Sequence, residues 1–131
     1  RYYVNTGDLL FSWSGSRGTS FGAHIWKNSK GILNQHIFRV VFKDSLLKDY
    51  LLVALNKAVE EVEQNLHGGV GLVHITKGNL EKIKIPIPPL EIQKQIIDEI
   101  DASQRNIEDH FLEIAKLEEK IKITIQKVWR E

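Results

Sequence analysis

Short apolar runs rich in aromatic and β-branched residues alternate with Gly, Ser and Asn clusters over the first 42 residues. This is the pattern of β-strands joined by turns, and it predicts strands at residues 2–4, 8–13, 22–27 and 32–42. Residues 14–20 contain mainly Ser and Gly, which tolerate unusual backbone angles but provide little strand packing, so a loop is predicted there.

A helical spacing of apolar residues replaces the strand pattern after residue 43. Asp44 or Ser45 can cap the predicted helix, whose wide apolar face extends to Leu66 before Gly68 and Gly69 end it. A strand is predicted over 70–75, a turn over 76–79 and an alternating strand over 80–85. The fold class predicted from this order is α+β, a β-rich domain followed by a long C-terminal helix.

The three prolines of the chain, Pro86, Pro88 and Pro89, lie within four positions and predict a stiff, extended boundary that suits the entry to a helix. Residues 90–131 contain neither Gly nor Pro. We therefore predict two domains, a β-rich domain at 1–86 and a proline hinge with a long helix at 87–131.

The long helix carries a heptad pattern, in which nine of twelve a and d positions from Leu90 onward are apolar. At ~1.5 Å per residue such a helix is ~60 Å long, so its own domain cannot cover it, and a partner helix is expected. The alternatives are a helix packed on its own domain or broken near 101–106, where the residues are weaker helix formers. The residues expected to contact the partner are Ile97, Ile100, Ile107, Phe111, Ile114, Ile121, Ile125 and Val128.

Charge is divided unevenly along the chain. Residues 1–86 contain eleven Lys and Arg against seven Asp and Glu, net +4, whereas residues 87–131 contain seven against ten, net −3. Between Asp8 and Asp44 there is no acidic residue but there are five basic ones. This division fits a basic N-terminal part that binds phosphate and an acidic C-terminal part that binds protein. The alternative is that these charges only keep an ordinary surface solvated.

Composition excludes several classes of protein. The chain has 131 residues and no cysteine, so disulfides and thiolate metal sites are excluded. No apolar run approaches the length of a membrane span and no signal peptide opens the chain, so a soluble, unexported, cytoplasmic protein without membrane contact is expected. The chain begins at Arg1 and contains no methionine, which suggests a piece of a longer protein.

No catalytic constellation is recognisable. The five histidines lack the spacing of a zinc site, the Gly-rich stretches lack a phosphate-binding loop ending, and no acid-Pro-Pro-aromatic methyltransferase signature occurs. We therefore expect a non-enzymatic chain without metal or cofactor.

Three stretches together resemble one family. They are residues 7–15 (GDLLFSWSG), residues 33–40 (LNQHIFRV) and residues 74–96, whose IPPLEIQ element at 87–93 is the most specific. Their order resembles the C-terminal part of a target-recognition domain and the spacer helix of a type I restriction-modification DNA specificity subunit. The resemblance covers nearly the whole chain, although recognition domains of this family extend further upstream and a full subunit carries two such units.

The resemblance implies several partners and roles. Each recognition domain would read one half of a bipartite site in double-stranded DNA, while antiparallel helices hold two domains apart and dock methyltransferase subunits that bind S-adenosylmethionine. A half-length chain would then be expected to form a homodimer through its C-terminal helix.

Base reading needs side chains on loops, with backbone contacts that fix the register. Arg17 is expected to pair with guanine, and the other candidates to contact phosphate, although a solvated loop position is the alternative for each. Among Asn34, Gln35 and His36, at least one is expected to face inward, and Trp13 and Trp26 are expected to be core residues. The DNA-binding candidates are Ser14, Ser16, Arg17, Thr19, Ser20, Lys27, Asn28, Lys30 and His67.

Two other functions fit the same sequence. The chain is alternatively the C-terminal specificity region of a fused methyltransferase-endonuclease, or a coiled-coil adaptor that binds protein and not DNA. Upstream sequence would decide the first alternative, and DNA-binding measurements would decide the second.

Overall fold

A computed structural model describes residues 2–16, 18–65 and 72–130 of the chain. The backbone forms two compact units, residues 1–94, called the head below, and residues 95–131. The elements in chain order are β1 (Tyr3–Val4), β2 (Leu9–Ser12), β3 (Ser14–Ser16), β4 (Gly22–Ile25), β5 (Gly31–Ile32), β6 (Ile37–Arg39), α1 (Lys48–Asn65), β7 (Leu72–His74), α2 (Lys77–Glu81) and α3 (Leu90–Trp129). The predicted α+β class with a long C-terminal helix is confirmed.

Strand β2 is the centre of the head. It pairs antiparallel with β4 on one side and β6 on the other, and all four of its residues are buried. Two smaller antiparallel pairs, β1 with β5 and β3 with β7, complete the strand pairing. Four of the predicted strands are thus confirmed, as β1, β2, β4 and β7. Residues 70 and 71 of the last prediction lie outside the described residues.

Helix α1 packs on the sheet through its apolar face, where Leu51 and Val59 join Leu9 and Phe11 in the buried core. Asn56 on the same helix fixes the outer edge of β4. Its Nδ2 donates to the Ala23 carbonyl at 3.0 Å, and its Oδ1 accepts the Ala23 N–H at 2.8 Å. The amide therefore satisfies backbone groups that an edge strand would otherwise leave unpaired. The helix begins at Lys48, later than the caps Asp44 and Ser45 predict.

The predicted strand at 32–42 was wrong as a single element. It divides into β5 and β6 because Asn34 Oδ1 accepts the His36 N–H at 2.8 Å and turns the chain between them. Asn34 and Gln35 are exposed, whereas His36 is partly buried against Trp13. The expectation that at least one of the three faces inward therefore holds for His36, although within residues 2–16, 18–65 and 72–130 its buried Nδ1 has no hydrogen-bond partner.

Two other local predictions were also wrong. Residues 14–16 of the predicted loop form β3, because a backbone ladder with β7 needs no bulky side chain. Residues 77–81 form helix α2, capped by the Thr76 hydroxyl, in place of the predicted turn and the start of the alternating strand. Ile83 and Ile85 nevertheless pack against the core without strand pairing.

The proline segment leads directly into helix α3. The Tyr50 hydroxyl donates to the Pro86 carbonyl at 2.8 Å, which holds the segment on α1. Helix α3 continues through residues 101–106, so the break considered there does not occur. Across residues 2–16, 18–65 and 72–130, none of the helices has the length and apolarity needed to cross a bilayer.

Candidate nucleic-acid interface

The chain between β3 and β4 forms a small closed loop. The Ser16 carbonyl oxygen accepts the N–H groups of Thr19, Ser20 and Phe21 at 3.1 to 3.2 Å. In return, the Ser16 N–H donates to the Ser20 hydroxyl oxygen at 2.8 Å. These bonds hold Ser16 against residues 19–21, and a fixed backbone is the condition for a loop to present side chains to a ligand in one arrangement.

The hydroxyl groups of this loop differ in the hydrogen bonds that they already make. Thr19 donates its hydroxyl to the Ser16 carbonyl at 3.3 Å, and the Ser20 oxygen already accepts one bond. Ser14 is half-buried in the ladder with His74, whereas the exposed Ser16 hydroxyl has no partner among the described residues. Ser16 is therefore the hydroxyl best placed to contact a ligand. Arg17 and His67 lie outside the described residues.

A second group of candidates, Lys27, Asn28 and Lys30, follows β4. The Asn28 carbonyl accepts the Thr6 hydroxyl at 2.7 Å, and the Lys30 Nζ lies 4.6 Å from the centroid of the Tyr3 ring. The register Leu9 opposite Ile25 and Ser12 opposite Gly22 puts this turn and the loop at opposite ends of the β2–β4 pair. Strands of this length separate the two groups by about 10 Å, so the structure does not bring the sequence-predicted residues into one cluster.

Further cations, which were not among the candidates, lie at the same end of the sheet as Lys27 and Lys30. Arg39 pairs with Leu10 near the start of β2, and the Lys48 Nζ donates to the Gly7 carbonyl at 2.6 Å. An open groove of about 360 Å³ lies between these two residues and is also lined by Asp8. Arg39 lies in the stretch without acidic residues between Asp8 and Asp44, which is the feature of the sequence that could have identified it. The strand register that places Arg39 at this end of the sheet could not be predicted.

An aromatic cluster lies beside β3. The Trp13 ring lies 5.0 Å from the His36 ring and 4.8 Å from the His74 ring, measured between centroids, and it stacks on Phe38 at 6.4 Å. Trp13 packs partly buried against the core, as predicted, although its Nε1 has no hydrogen-bond partner among the residues that the structure describes. Trp26 is also half-buried, and its Nε1 donates to the Ser29 carbonyl at 2.7 Å.

The second candidate surface is the apolar edge of helix α3. Every described residue from 98 to 130 is exposed, including the predicted partner contacts Ile107, Phe111 and Val128, which are 47%, 68% and 71% exposed. Ile97 is half-buried. Among the residues described, no group of three His, Cys, Asp or Glu is arranged to hold a metal ion.

Replacing Gly15 with alanine should open the 14–20 loop and lower the free energy of unfolding by about 1–3 kcal/mol. A Cβ atom at this position would lie 2.5 Å from the Ser20 hydroxyl oxygen and 3.0 Å from backbone atoms of Ser20 and Phe21, which cannot move aside easily. Urea unfolding followed by tryptophan fluorescence measures the change.

The matched control for Gly15 is Gly78→Ala. Nothing lies within 4 Å of a Cβ atom at Gly78 in helix α2, so alanine there should leave stability unchanged or raise it slightly. Equal stability of the two variants would show that the loop is not closed as described.

The family model described as "Type I restriction modification DNA specificity domain" matches residues 1–124. The chain is similar to the type I restriction enzyme MjaVIII specificity subunit of Methanocaldococcus jannaschii, with 37% identity over 93 residues, 71% of this chain and 21% of that protein. It is also similar to the type I restriction enzyme EcoBI specificity subunit of Escherichia coli, with 29% identity over 101 residues, 76% of this chain and 20% of that protein. The chain thus spans about a fifth of the length of these relatives. No solved structure matches it significantly.

Proposed function

The chain belongs to the type I restriction modification DNA specificity domain family, and on that premise we propose that its head reads one half of a bipartite site in double-stranded DNA. The proposal rests on the family match, which extends from residue 1 to residue 124. It therefore includes both the head and most of helix α3. In this proposal, residues 1–86 form the recognition domain, and residues 87–131 form the proline hinge and the spacer helix.

The fixed loop supports the base-reading half of the proposal. The Ser16 hydroxyl, which has no partner among the described residues, lies in a loop held by three backbone hydrogen bonds and one bond from the Ser16 N–H to the Ser20 hydroxyl. Hydroxyls can bond either to bases or to phosphates. Lys27, Lys30 and Arg39 at the opposite end of the sheet would contact phosphates, which position a protein on DNA without reading its sequence. Arg17 and His67 remain candidates from the sequence.

Helix α3 supports the second part of the proposal, which concerns assembly with other chains. Its apolar edge stays exposed over residues 98–128, and two copies of the chain would cover these edges by pairing. The paired helices would set the distance between two half-sites and dock methyltransferase subunits. In this proposal the chain is non-catalytic, needs no cofactor and acts in the cytoplasm, while the methyltransferase subunits carry S-adenosylmethionine.

Binding to duplex DNA should weaken steeply as salt increases. If the head neutralises three phosphates, its affinity should fall about 40-fold between 50 and 200 mM salt, because each neutralised phosphate releases condensed counterions. Fluorescence anisotropy of a labelled duplex, titrated with the whole chain at several salt concentrations, measures this slope.

The control for the salt titration is the variant Lys57→Ala. Lys57 lies on an exposed part of α1 and is already within 4.0 Å of Glu60 and Glu61, so its loss should not change the slope. Absence of duplex binding at 50 mM salt would refute DNA contact and favour the coiled-coil adaptor.

A further inference from the structure

The head contains a second pocket, which lies at the aromatic cluster beside strand β3. It has a volume of about 280 Å³, and the side chains that line it include Trp13, Phe38, His74, Ile75 and Leu80. Ile75 is fully buried and Leu80 is half-buried, whereas the Phe38 ring is 43% exposed. The pocket is therefore closed by apolar side chains on one side and reaches solvent beside an aromatic ring.

The lining of this pocket suits a small planar ligand. The planes of the Trp13 and Phe38 rings differ by only 21°, and the His74 ring meets the Trp13 ring edge-on at 75°. Faces of aromatic rings are surfaces on which planar heterocycles stack. A volume at the lower limit of small-molecule sites restricts the ligand to one small ring system.

Two nitrogen atoms of the aromatic cluster favour a ligand with polar edge atoms. Trp13 Nε1, which is a donor, and His36 Nδ1 are buried and have no hydrogen-bond partner among the described residues. Buried polar atoms in native proteins usually have a partner, because leaving one unpaired has a desolvation cost. A hydrocarbon would leave both nitrogens unpaired. The edge of a nucleobase carries donors and acceptors that could pair with them after a small rotation of either ring.

The pocket lies at the same end of the sheet as the loop that carries Ser16. Trp13 directly precedes β3, its carbonyl accepts the Ile75 N–H at 3.0 Å, and Ser16 follows about 10 Å further along the strand. Lys77 also lines the pocket and is 83% exposed, and its ion pair with Glu81 at 3.8 Å is of the weak surface kind. A nucleotide with its base in the pocket would thus have a hydroxyl and a cation near its phosphate.

The ring faces, the buried nitrogens and the position beside the loop identify one class of ligand. We propose that the pocket binds a single unstacked nucleobase. This inference rests on the proposed function where DNA supplies the base, and it goes beyond that function because reading base edges in a groove leaves every base stacked in the duplex. A free nucleotide offers the same ring chemistry. Extrusion from DNA has an unstacking cost, which is smallest for a mismatched or unpaired base.

Tryptophan fluorescence of the whole chain tests the proposal. The chain contains three tryptophans, so Trp26→Phe together with Trp129→Phe leaves Trp13 as the single one. A base that stacks against an indole ring quenches the indole emission. Titration with adenosine monophosphate should therefore quench Trp13, whereas ribose 5-phosphate, which has no base, should not. Quenching of equal size by both compounds would overturn the proposal.

Two substitutions in the single-tryptophan chain change the pocket in different ways. Phe38→Ala removes a stacking surface and should weaken binding about tenfold. Leu80→Phe keeps an apolar side chain on α2 but fills the pocket, so it should prevent quenching even if Phe38→Ala does not fold. The matched control is Tyr2→Ala, which removes a ring that is 65% exposed outside the pocket and should leave the affinity unchanged. Undiminished quenching in the Leu80→Phe chain would overturn the proposal.

Titration with DNA distinguishes the two sources of the base. If DNA supplies it, a duplex with one unpaired base should quench Trp13 at a lower concentration than the fully paired duplex of the same sequence. Quenching by the mononucleotide but by neither duplex would support the ligand class and assign the pocket to a free nucleotide. Salt-sensitive duplex binding with no change in Trp13 emission, from duplexes or from the mononucleotide, would refute the pocket and leave the proposed function standing.

Discussion

Replacing Gln93 with leucine should lower the free energy of unfolding by about 3–5 kcal/mol. Gln93 is fully buried, and its amide makes three hydrogen bonds of 2.8 Å. Oε1 accepts the Leu47 N–H just before helix α1, while Nε2 donates to the carbonyls of Ser45 and Pro88. Leucine fills a similar volume but leaves one backbone donor and two acceptors without a partner, and each of these has a desolvation cost. Urea unfolding at a fixed protein concentration measures the loss.

The neighbouring variant Gln95→Leu provides the control. Gln95 is exposed on the same helix, so its replacement should change stability by about 0.5 kcal/mol or less. Gln93→Glu tests the donor role separately, since a carboxylate can still accept from Leu47 but would face the two carbonyls without a proton to donate. A loss below about 1 kcal/mol for Gln93→Leu would show that the amide does not connect these three segments.

Replacing Phe111 with aspartate should abolish most of the dimer. Phe111 is 68% exposed in the single chain and lies on the apolar edge proposed to pair with a second copy, so each dimer loses two large apolar side chains. At about 2–3 kcal/mol for each side chain, the dissociation constant should rise about 10³- to 10⁴-fold. Sedimentation equilibrium over a range of concentrations measures this constant.

Ile123→Asp is the matched control for Phe111→Asp. Ile123 is also apolar and exposed, at 45%, but it occupies an f position on the face of the helix away from the a and d edge. Its replacement should leave dimerisation within about threefold. If both variants weaken dimerisation equally, the pairing does not use the a and d edge.

Much of the fold could be predicted from local pattern. The helix at α3 followed from a long stretch without Gly or Pro and with a sustained heptad, and β2 followed from a compact apolar run. In both cases the signal that defines the element lies within the element itself. The family resemblance implied the same division into head and spacer helix, which stays a prediction.

The misassigned segments depend on contacts between distant residues. Strand β3 consists of Ser14, Gly15 and Ser16, which have little intrinsic strand preference, and it forms because β7 provides backbone partners. The alternation over 80–85 resembled a strand, yet the Thr76 cap starts helix α2 just before it. Tertiary pairing and capping outweighed propensity at both places.

The candidate interface also depends on contacts between distant residues, which local sequence pattern does not reveal. Residue types and the turn at residues 18–20 could be identified from sequence, but the separation of that turn from Lys27 and Lys30 depends on the register of β2 against β4. In the sequence, Gln93 stood out only as the last residue of the IPPLEIQ element at 87–93. Its role became visible when the structure placed Ser45 and Leu47, nearly fifty residues earlier in the chain, against its amide.

Selection of binding sites from a pool of random DNA duplexes tests the central claim most directly. The whole chain is incubated with the pool at low salt, and bound duplexes are amplified and sequenced over several rounds. A dimer whose two heads each read a half-site should enrich one short sequence that occurs twice, inverted, with a constant gap between the copies. A bound pool that stays random, or that enriches a single sequence without a second copy at fixed distance, would contradict the account.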